Sequence, residues 1–433
     1  MREALFGRIL LSHNLITAEQ LSECLRIQEE SYPPKLLGEI LVQKGHLTPK
    51  ELEATLGAQK RIFELEKIKP RLSTPEIYET LRGGNIFTFL KLVRDLGAAE
   101  LFISSKARPF VRLYGNIVDL NHPPLNLNEC QDLIFELLTQ DQIDRYYGKK
   151  GIEFSYTAEG IGRFRVNIFR HLKGITGFFK VIPDKTLSFK ELGLPSVVES
   201  FTNLARGLVL ITGPKASGKS TTMATMIEAI NRNQARRIIT IEDPIEYLFE
   251  SKKSLVTQRE VERDTRSFAS ALRASLREDP DVIVIGEMRD LETISTALTA
   301  AETGHLVLAT LHTQSALRTI VRIIEAYPVQ RREQIRVMLA GSLKAVISQQ
   351  LIPNIDGRSQ SLAIEILTMT SACANLIREN RFHQISLIIQ TGRAEGMTSM
   401  DDSLQRLFKE GKISEEEAVS RAIDSSKFMQ ERG

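Results

Sequence analysis

Short runs of consecutive apolar residues alternate along the middle of the chain with apolar residues spaced three and four apart. The runs are Leu208-Val209-Leu210-Ile211, Ile238-Ile239-Thr240-Ile241, Val282-Ile283-Val284-Ile285 and Leu306-Val307-Leu308-Ala309. Runs so short and so rich in β-branched residues predict strands buried on both faces. Between them, Met223, Met226, Ile227 and Ile230 mark one helix face, as do Phe268, Ala271, Leu272, Ser275 and Leu276, and then Leu291, Ile294, Leu298 and Ala301. Strands alternating with helices at these spacings predict an α/β fold in which a parallel sheet is covered on both sides.

The flanks follow other rhythms. Within residues 1–68, Phe6-Gly7-Arg8-Ile9-Leu10 aligns with Leu37-Gly38-Glu39-Ile40-Leu41, and the match continues through Ile16/Leu47, Thr17/Thr48, Leu21/Leu52, Leu25/Leu56 and Gln28/Gln59. Each unit reads as a helix, a turn and a second helix capped by Thr17 or Thr48, which predicts a small helical domain of two packed hairpins. Residues 59–75 are charged and contain Pro70, the pattern of a linker or connecting helix. Residues 77–184 mix a helical stretch, Ile86–Leu96, with extended ones at Leu101–Ile103 and Phe110–Leu113, so an α+β domain is expected there. Residues 200–370 form the α/β core. From Arg331 onward Val337, Leu339, Leu343, Val346 and Ile347 read as helical up to the break at Ile352-Pro353, and residues 371–433 read as a C-terminal helical region.

Chemistry enters at the end of the first strand. Gly213-Pro214-Lys215-Ala216-Ser217-Gly218-Lys219-Ser220-Thr221 has the spacing of a phosphate-binding loop, and it sits between a strand and a helix as such a loop must. Glycines let the backbone approach a triphosphate, successive N–H groups and the helix dipole face its oxygens, Lys219 reaches the outer phosphates, and the Ser220 hydroxyl is placed to ligate Mg2+. Two later strands end in acids, Glu242-Asp243-Pro244-Ile245-Glu246 and Gly286-Glu287, at the edge where open α/β sheets bind ligands. Because glycine follows the second strand directly, the metal role there falls to Glu287, through a water. His305 and His312 bracket the next strand and are candidates for sensing the terminal phosphate. In Arg163-Phe164-Arg165-Val166-Asn167-Ile168-Phe169-Arg170 the period of two sets charges on one strand face. Either that face is simply solvated, or Arg163, Arg165 or Arg170 reaches the phosphates of a neighbouring subunit as an arginine finger.

Composition narrows the options. With 57 Lys+Arg against 54 Asp+Glu the formal charge is +3, which leaves no electrostatic footprint for nucleic acid or an anionic membrane. Cys24, Cys130 and Cys373 are too scattered for a disulfide framework or a zinc knuckle, so a reducing cytoplasm is expected. No uncharged apolar run is long enough to span a bilayer, and work at a membrane would require docking through partners.

Residues from about 77 to 423 resemble the type IV pilus retraction ATPases, the PilT branch of the secretion ATPase superfamily. The resemblance rests on GPKASGKSTT, TIEDPIEY, SLREDPDVIVIGEMRDLETI, AAETGHLVLATLHTQSA and NLIRE at Asn375–Glu379. It implies a homohexamer of RecA-like P-loop ATPase cores, each preceded by a PAS-like domain that packs on the next core, with ATP at the interface. It implies further that Glu246 activates the attacking water, that Glu287 supports Mg2+, and that rotation of a PilC-like inner-membrane platform protein retracts the pilus. Such an enzyme would lie in the cytoplasm against the inner membrane. The N-terminal repeat is similar to a two-motif domain of some type II secretion and pilus ATPases that in certain members binds cyclic di-GMP, although Leu5 and Leu36 stand where that motif begins with arginine. Other departures are Ala216 for a usual glycine, Ala374 for an arginine and Phe102 for a histidine. A pilus assembly or type II secretion ATPase, a regulatory paralogue and a nucleic-acid motor are the competing readings.

Overall fold

In the computed structural model of the chain the described residues are 6, 7, 9–11, 13, 15–30, 35–53, 55, 56, 59, 81, 83–113, 116–355, 359–425 and 428. The linker expected near residues 59–75 lies almost wholly outside them.

The N-terminal repeat contains helices and turns where it is described. Helices α1 (Ala18–Glu30) and α2 (Leu37–Gln43) belong to a small core of Phe6, Leu10, Ile16, Cys24, Leu37, Ile40, Leu41 and Leu47. Thr17 and Thr48 both make reciprocal capping contacts: the Gln20 and Glu51 amides donate to the threonine hydroxyls at 3.2 Å, and the side chains of Gln20 and Glu51 accept from the threonine amides. The repeated glycine also has a steric cause. A Cβ at Gly38 would stand 2.3 Å from a Leu52 methyl, and one at Gly7 would stand 3.1 Å from Leu21.

The next unit is a six-stranded antiparallel sheet in the order β3-β2-β1-β6-β5-β4. Its strands are β1 (Glu100–Ser104), β2 (Phe110–Leu113), β3 (Asn116–Asp119), β4 (Gly151–Ala158), β5 (Gly162–His171) and β6 (Gly174–Ile182). Helices α3 (Ile86–Asp95), α4 (Leu127–Phe135) and α5 (Gln140–Lys149) supply side chains to the same core as Phe164, Val166 and Ile168 of β5. The alternation along β5 therefore leaves Arg163, Arg165, Asn167 and Phe169 on the opposite, uncovered face.

The core of the molecule is a seven-stranded sheet in the order β13-β12-β7-β11-β10-β8-β9. Strands β7 (Gly207–Thr212), β8 (Arg237–Glu242), β9 (Leu255–Glu260), β10 (Val282–Ile285), β11 (Leu306–Leu311) and β12 (Leu343–Pro353) are parallel, and β13 (Gln360–Thr368) runs antiparallel to β12. Side chains alternate across it. Val209, Ile211, Val284 and Leu308 pack with Met226, Ile227 and Ile230 of α6 (Lys219–Asn233). Leu208, Leu210, Ile283 and Val307 pack with α7 (Phe268–Ser275), α8 (Leu291–Glu302), α9 (Ala316–Glu325) and α10 (Arg332–Ser342). The remaining helices are α11 (Ser371–Arg378), α12 (Ile385–Thr391), α13 (Met400–Lys409) and α14 (Glu415–Arg421), with α13 lying against β13.

One expectation is corrected here. Residues 343–353 continue no helix; they form β12, paired with β7. Leu343, Ala345, Val346 and Ile347 are buried to 1% exposure or less, and consecutive residues covered on both faces fit a central strand, whereas the spacing of Leu339, Leu343, Val346 and Ile347 imitates helical periodicity.

Candidate active site

Four parallel strands deliver four loops to one edge of the core sheet. After β7 comes the loop Gly213–Gly218, after β8 the acidic segment from Glu242, after β10 Gly286-Glu287, and after β11 His312. They line a cleft of about 870 Å³, whose opposite wall is the uncovered face of the antiparallel sheet, with Glu100, Phe102, Arg112, Arg165 and Asn167.

The loop is shaped for phosphate. Gly213 has φ +144°, and a Cβ there would lie 2.3 Å from the Gln349 carbonyl oxygen and 2.6 Å from Ser217 Oγ. Gly218 has φ +87° and is the N-cap of α6. Lys219 is 8% exposed, and its Nζ donates to the Gly213 and Pro214 carbonyls at 2.9 and 2.7 Å. Burial lowers the Lys219 ammonium below the ordinary lysine range, while Glu287 and Glu246 pull it back up. Ser217 Oγ is buried without a hydrogen-bond partner among the described residues, which is the condition expected of a donor reserved for a ligand. Thr221 accepts a hydrogen bond from the Tyr247 hydroxyl at 3.3 Å, and Lys215, Ala216 and Ser220 face the cleft. The set fits a nucleoside triphosphate. Among the described residues no three His, Cys, Asp or Glu groups gather as metal ligands, so the Ser220 hydroxyl and Glu287 fit Mg2+ only with phosphate oxygens and waters completing its shell.

Ala216 has φ +62°. A left-handed conformation costs an L-residue roughly 1–2 kcal/mol, part of which glycine gives back through its freer unfolded chain. Ala216→Gly is therefore expected to raise the unfolding free energy by about 1 kcal/mol in denaturant titration. A variant less stable than the parent would contradict a strained Ala216.

Opposite the loop stands the acidic segment. Arg165 makes ion pairs with Glu246 and with Glu153, the latter at 2.5 Å. Burial alone would lower the Arg165 guanidinium, but the two carboxylates outweigh it and raise it. Arg163 donates to the Glu246 carbonyl at 3.1 Å and to the Ile245 carbonyl at 2.7 Å, and Ser155 Oγ donates to Ile245 O at 2.5 Å. Both arginines are thus tied to the acidic segment of their own chain. The Glu287 carboxylate lies 3.0 Å from His312 Nε2 and 2.8 Å from the Arg289 guanidinium, with which it forms an ion pair.

Two candidates fall elsewhere. His305 precedes β11, at the end of the sheet remote from the phosphate loop; its carbonyl accepts from the Gly207 amide and its Nδ1 lies 3.0 Å from the Ala300 carbonyl. The six residues of β11 separate it from the cleft by about 20 Å, so the histidines bracketing the strand do not converge on one phosphate within a chain. Arg170 is an odd number of residues from Arg165 and projects to the other face of β5, against α4 and α5.

Glu242 is a member of the cleft to which sequence reasoning gave no role. Burial, with smaller additions from Glu246 and Glu260, pushes its carboxyl up to about 7, although Thr240 and Gln258 donate to it at 2.6 and 3.2 Å. Its folded value lies above its ordinary 4.5, so the folded state binds the proton more tightly and stability falls as pH rises through this window. Between about pH 5 and 8 the parent is expected to lose on the order of 3 kcal/mol relative to Glu242→Gln. Parallel stability–pH curves for the two proteins would show that Glu242 ionises normally. Glu153, Arg289 and Tyr247 were missed as well; the even spacing of Glu153 along β4 placed it on the face of Arg165 and was the available signal.

Comparison with known proteins gives a consistent family. The family described as Type II/IV secretion system protein matches residues 183–430. The chain is 47% identical over 317 residues to a twitching motility protein of Neisseria gonorrhoeae, covering 73% of this chain and 85% of that protein. It is 46% identical over 326 residues to the type IV pilus retraction ATPase PilT of Pseudomonas aeruginosa, covering 75% of this chain and 94% of that protein. A crystal structure of the pilus retraction motor PilT with bound ADP is similar with a TM-score of 0.74 and 43% identity, over 80% of this chain and 99% of that one.

Proposed function

Because the chain belongs to the type II/IV secretion system protein family, we propose that it is an ATPase that powers retraction of type IV pili. It binds nucleotide and hydrolyses ATP. The observation that carries this reading is that Lys219 and Glu246, from different loops, line one cleft sized for a nucleotide.

In the cleft, Gly213–Thr221 cradle the phosphates, and Lys219 turns from its loop carbonyls to the outer phosphate oxygens. Ser220 and Glu287 are the residues that would hold Mg2+, which when bound would neutralise charge on the phosphates. Glu246 orients the attacking water, Arg165 fixes that carboxylate, and His312 positions Glu287. Arg163 and Arg165 become arginine fingers only if the antiparallel domain swings away from its own acidic segment toward a neighbour's phosphates.

The assembly is a homohexamer whose PAS-like domain packs on the next core, and its load is a platform protein of the inner membrane. Among the described residues no helix is long and apolar enough to cross a membrane, so a cytoplasmic motor held at the membrane by that platform is the arrangement we propose. We assign the N-terminal repeat to docking rather than to cyclic di-GMP, since leucine stands at position 36 and is 64% exposed. A regulatory paralogue is the second reading. It is favoured by Ala374, which is 6% exposed in α11 and offers the cationic contact of an arginine to no partner.

Purified full-length chain is expected to turn over ATP without DNA, and chelation of Mg2+ is expected to stop turnover. Activity that requires DNA would favour a nucleic-acid motor, and absence of activity in the complete chain would favour the regulatory reading.

A further inference from the structure

Arg170, left over from the cleft, belongs to a second cavity. It has a volume of about 200 Å³ and is lined by Leu127 and Gln131 of α4, Tyr146 and Tyr147 of α5, Lys150, and Arg170, Gly174 and Ile175 at the β5–β6 turn. Tyr146 is only 5% exposed, and its ring packs edge-on against Phe135 and Tyr147. Its hydroxyl and the Gln131 amide make no hydrogen bond among the described residues, and the side chains of Arg170 and Lys150 make no ion pair there.

The neighbouring cations show that this is not the habit of the surface. Arg145 and Lys149, on the same helix, are both paired with Glu262 of the core domain. Arg170 lies close enough to Tyr146 to offset part of the burial that pushes its phenol up. The cavity thus gathers a guanidinium, an ammonium, the hydroxyl of a buried tyrosine and a carboxamide, none of them hydrogen-bonded or ion-paired through its side chain among the described residues.

We propose that this cavity of the antiparallel domain binds the phosphoryl group of a small phosphate or phosphomonoester, held between Arg170 and Lys150. The number of donors decides for phosphoryl over carboxylate. Arginine, lysine, tyrosine and glutamine together present far more N–H and O–H groups than the two oxygens of a carboxylate accept, whereas a phosphoryl group offers three or four charged oxygens. The arginine fork and the compact ammonium approach such a group from different sides. Tyr147 and Leu127, at 58% and 45% exposure, leave an apolar rim for a small organic substituent.

The chain has no tryptophan, so its emission comes from 8 tyrosines and two of them line the cavity. Full-length protein kept saturated with ADP, which occupies the phosphate loop, is titrated with inorganic phosphate, pyrophosphate and phenyl phosphate against chloride at matched ionic strength. The expected result is a saturable change in tyrosine emission together with a rise in melting temperature. Arg170→Gln and Lys150→Gln should each weaken binding roughly tenfold, and Tyr146→Phe severalfold, with ADP affinity unchanged in all three. No saturable response in the parent, or an undiminished response in Arg170→Gln, overturns the proposal. Variants that change only self-association would likewise overturn it, assigning the cations to an acidic surface of a second copy. Loss of ADP binding would instead implicate the nucleotide cleft and leave its mark on that separate measurement.

Discussion

Glu246→Gln is expected to bind ATP with affinity close to the parent's and to hydrolyse it on the order of 10²- to 10³-fold more slowly, as measured by nucleotide titration and steady-state turnover. The substitution keeps the shape of the side chain and its place in the cleft. It removes the charge that Arg165 pairs with and that orients a water. It leaves in place the contacts of the phosphate loop itself, whose lysine is held by Gly213 and Pro214 and whose glycines set the backbone, and it takes from Lys219 only the smaller of two carboxylate attractions. The effect therefore falls on kcat. A variant with normal turnover would move the water-orienting role to another acid, and Glu242 or Glu287 would be the next to test.

Lys219→Ala is expected to act on binding instead, weakening nucleotide affinity by roughly two orders of magnitude or more. Lys219 is the cation that the loop buries, and Glu287 and Glu246 across the cleft offset part of what burial takes from its basicity. Its loss removes the charge-assisted bonds to the outer phosphates and leaves two loop carbonyls without their donor. Lys219→Arg should not rescue binding, because a wide planar fork does not fit where a compact ammonium is buried to 8% exposure and held by carbonyls at 2.9 and 2.7 Å. Isothermal titration with ADP separates the cases; an alanine variant of unchanged affinity would contradict the assignment of the loop.

The core and its site were legible because their signals are local. A strand buried on both faces must be apolar at every position, as Val282–Ile285 is, and a phosphate loop must carry its glycines and lysine within nine residues. The acids at the ends of β8 and β10 followed from strand direction alone. What could not be read depends on pairing between distant segments. β12 imitates a helix in spacing, and only its place beside β7 reveals it as a strand. His305 and His312 are close in sequence yet lie at opposite ends of one strand, a distance that no count of residues conveys without knowing the strand is extended. Arg163 and Arg165 were visible as a charged face, but the partner they hold, the segment Ile245-Glu246 some eighty residues on, emerges only when the antiparallel sheet is laid over the core. Ala216 shows the complement: the odd residue was evident in the sequence, and the cause of its cost, φ +62°, is in the backbone.

The direction in which the motor works is tested most directly by counting surface pili and scoring twitching in cells whose own copy of this chain carries Glu246→Gln. Excess surface pili with twitching abolished is the result expected of a retraction ATPase deprived of turnover. Bald cells would show that hydrolysis at this site builds the fibre, and would contradict the assignment of this chain as a retraction motor.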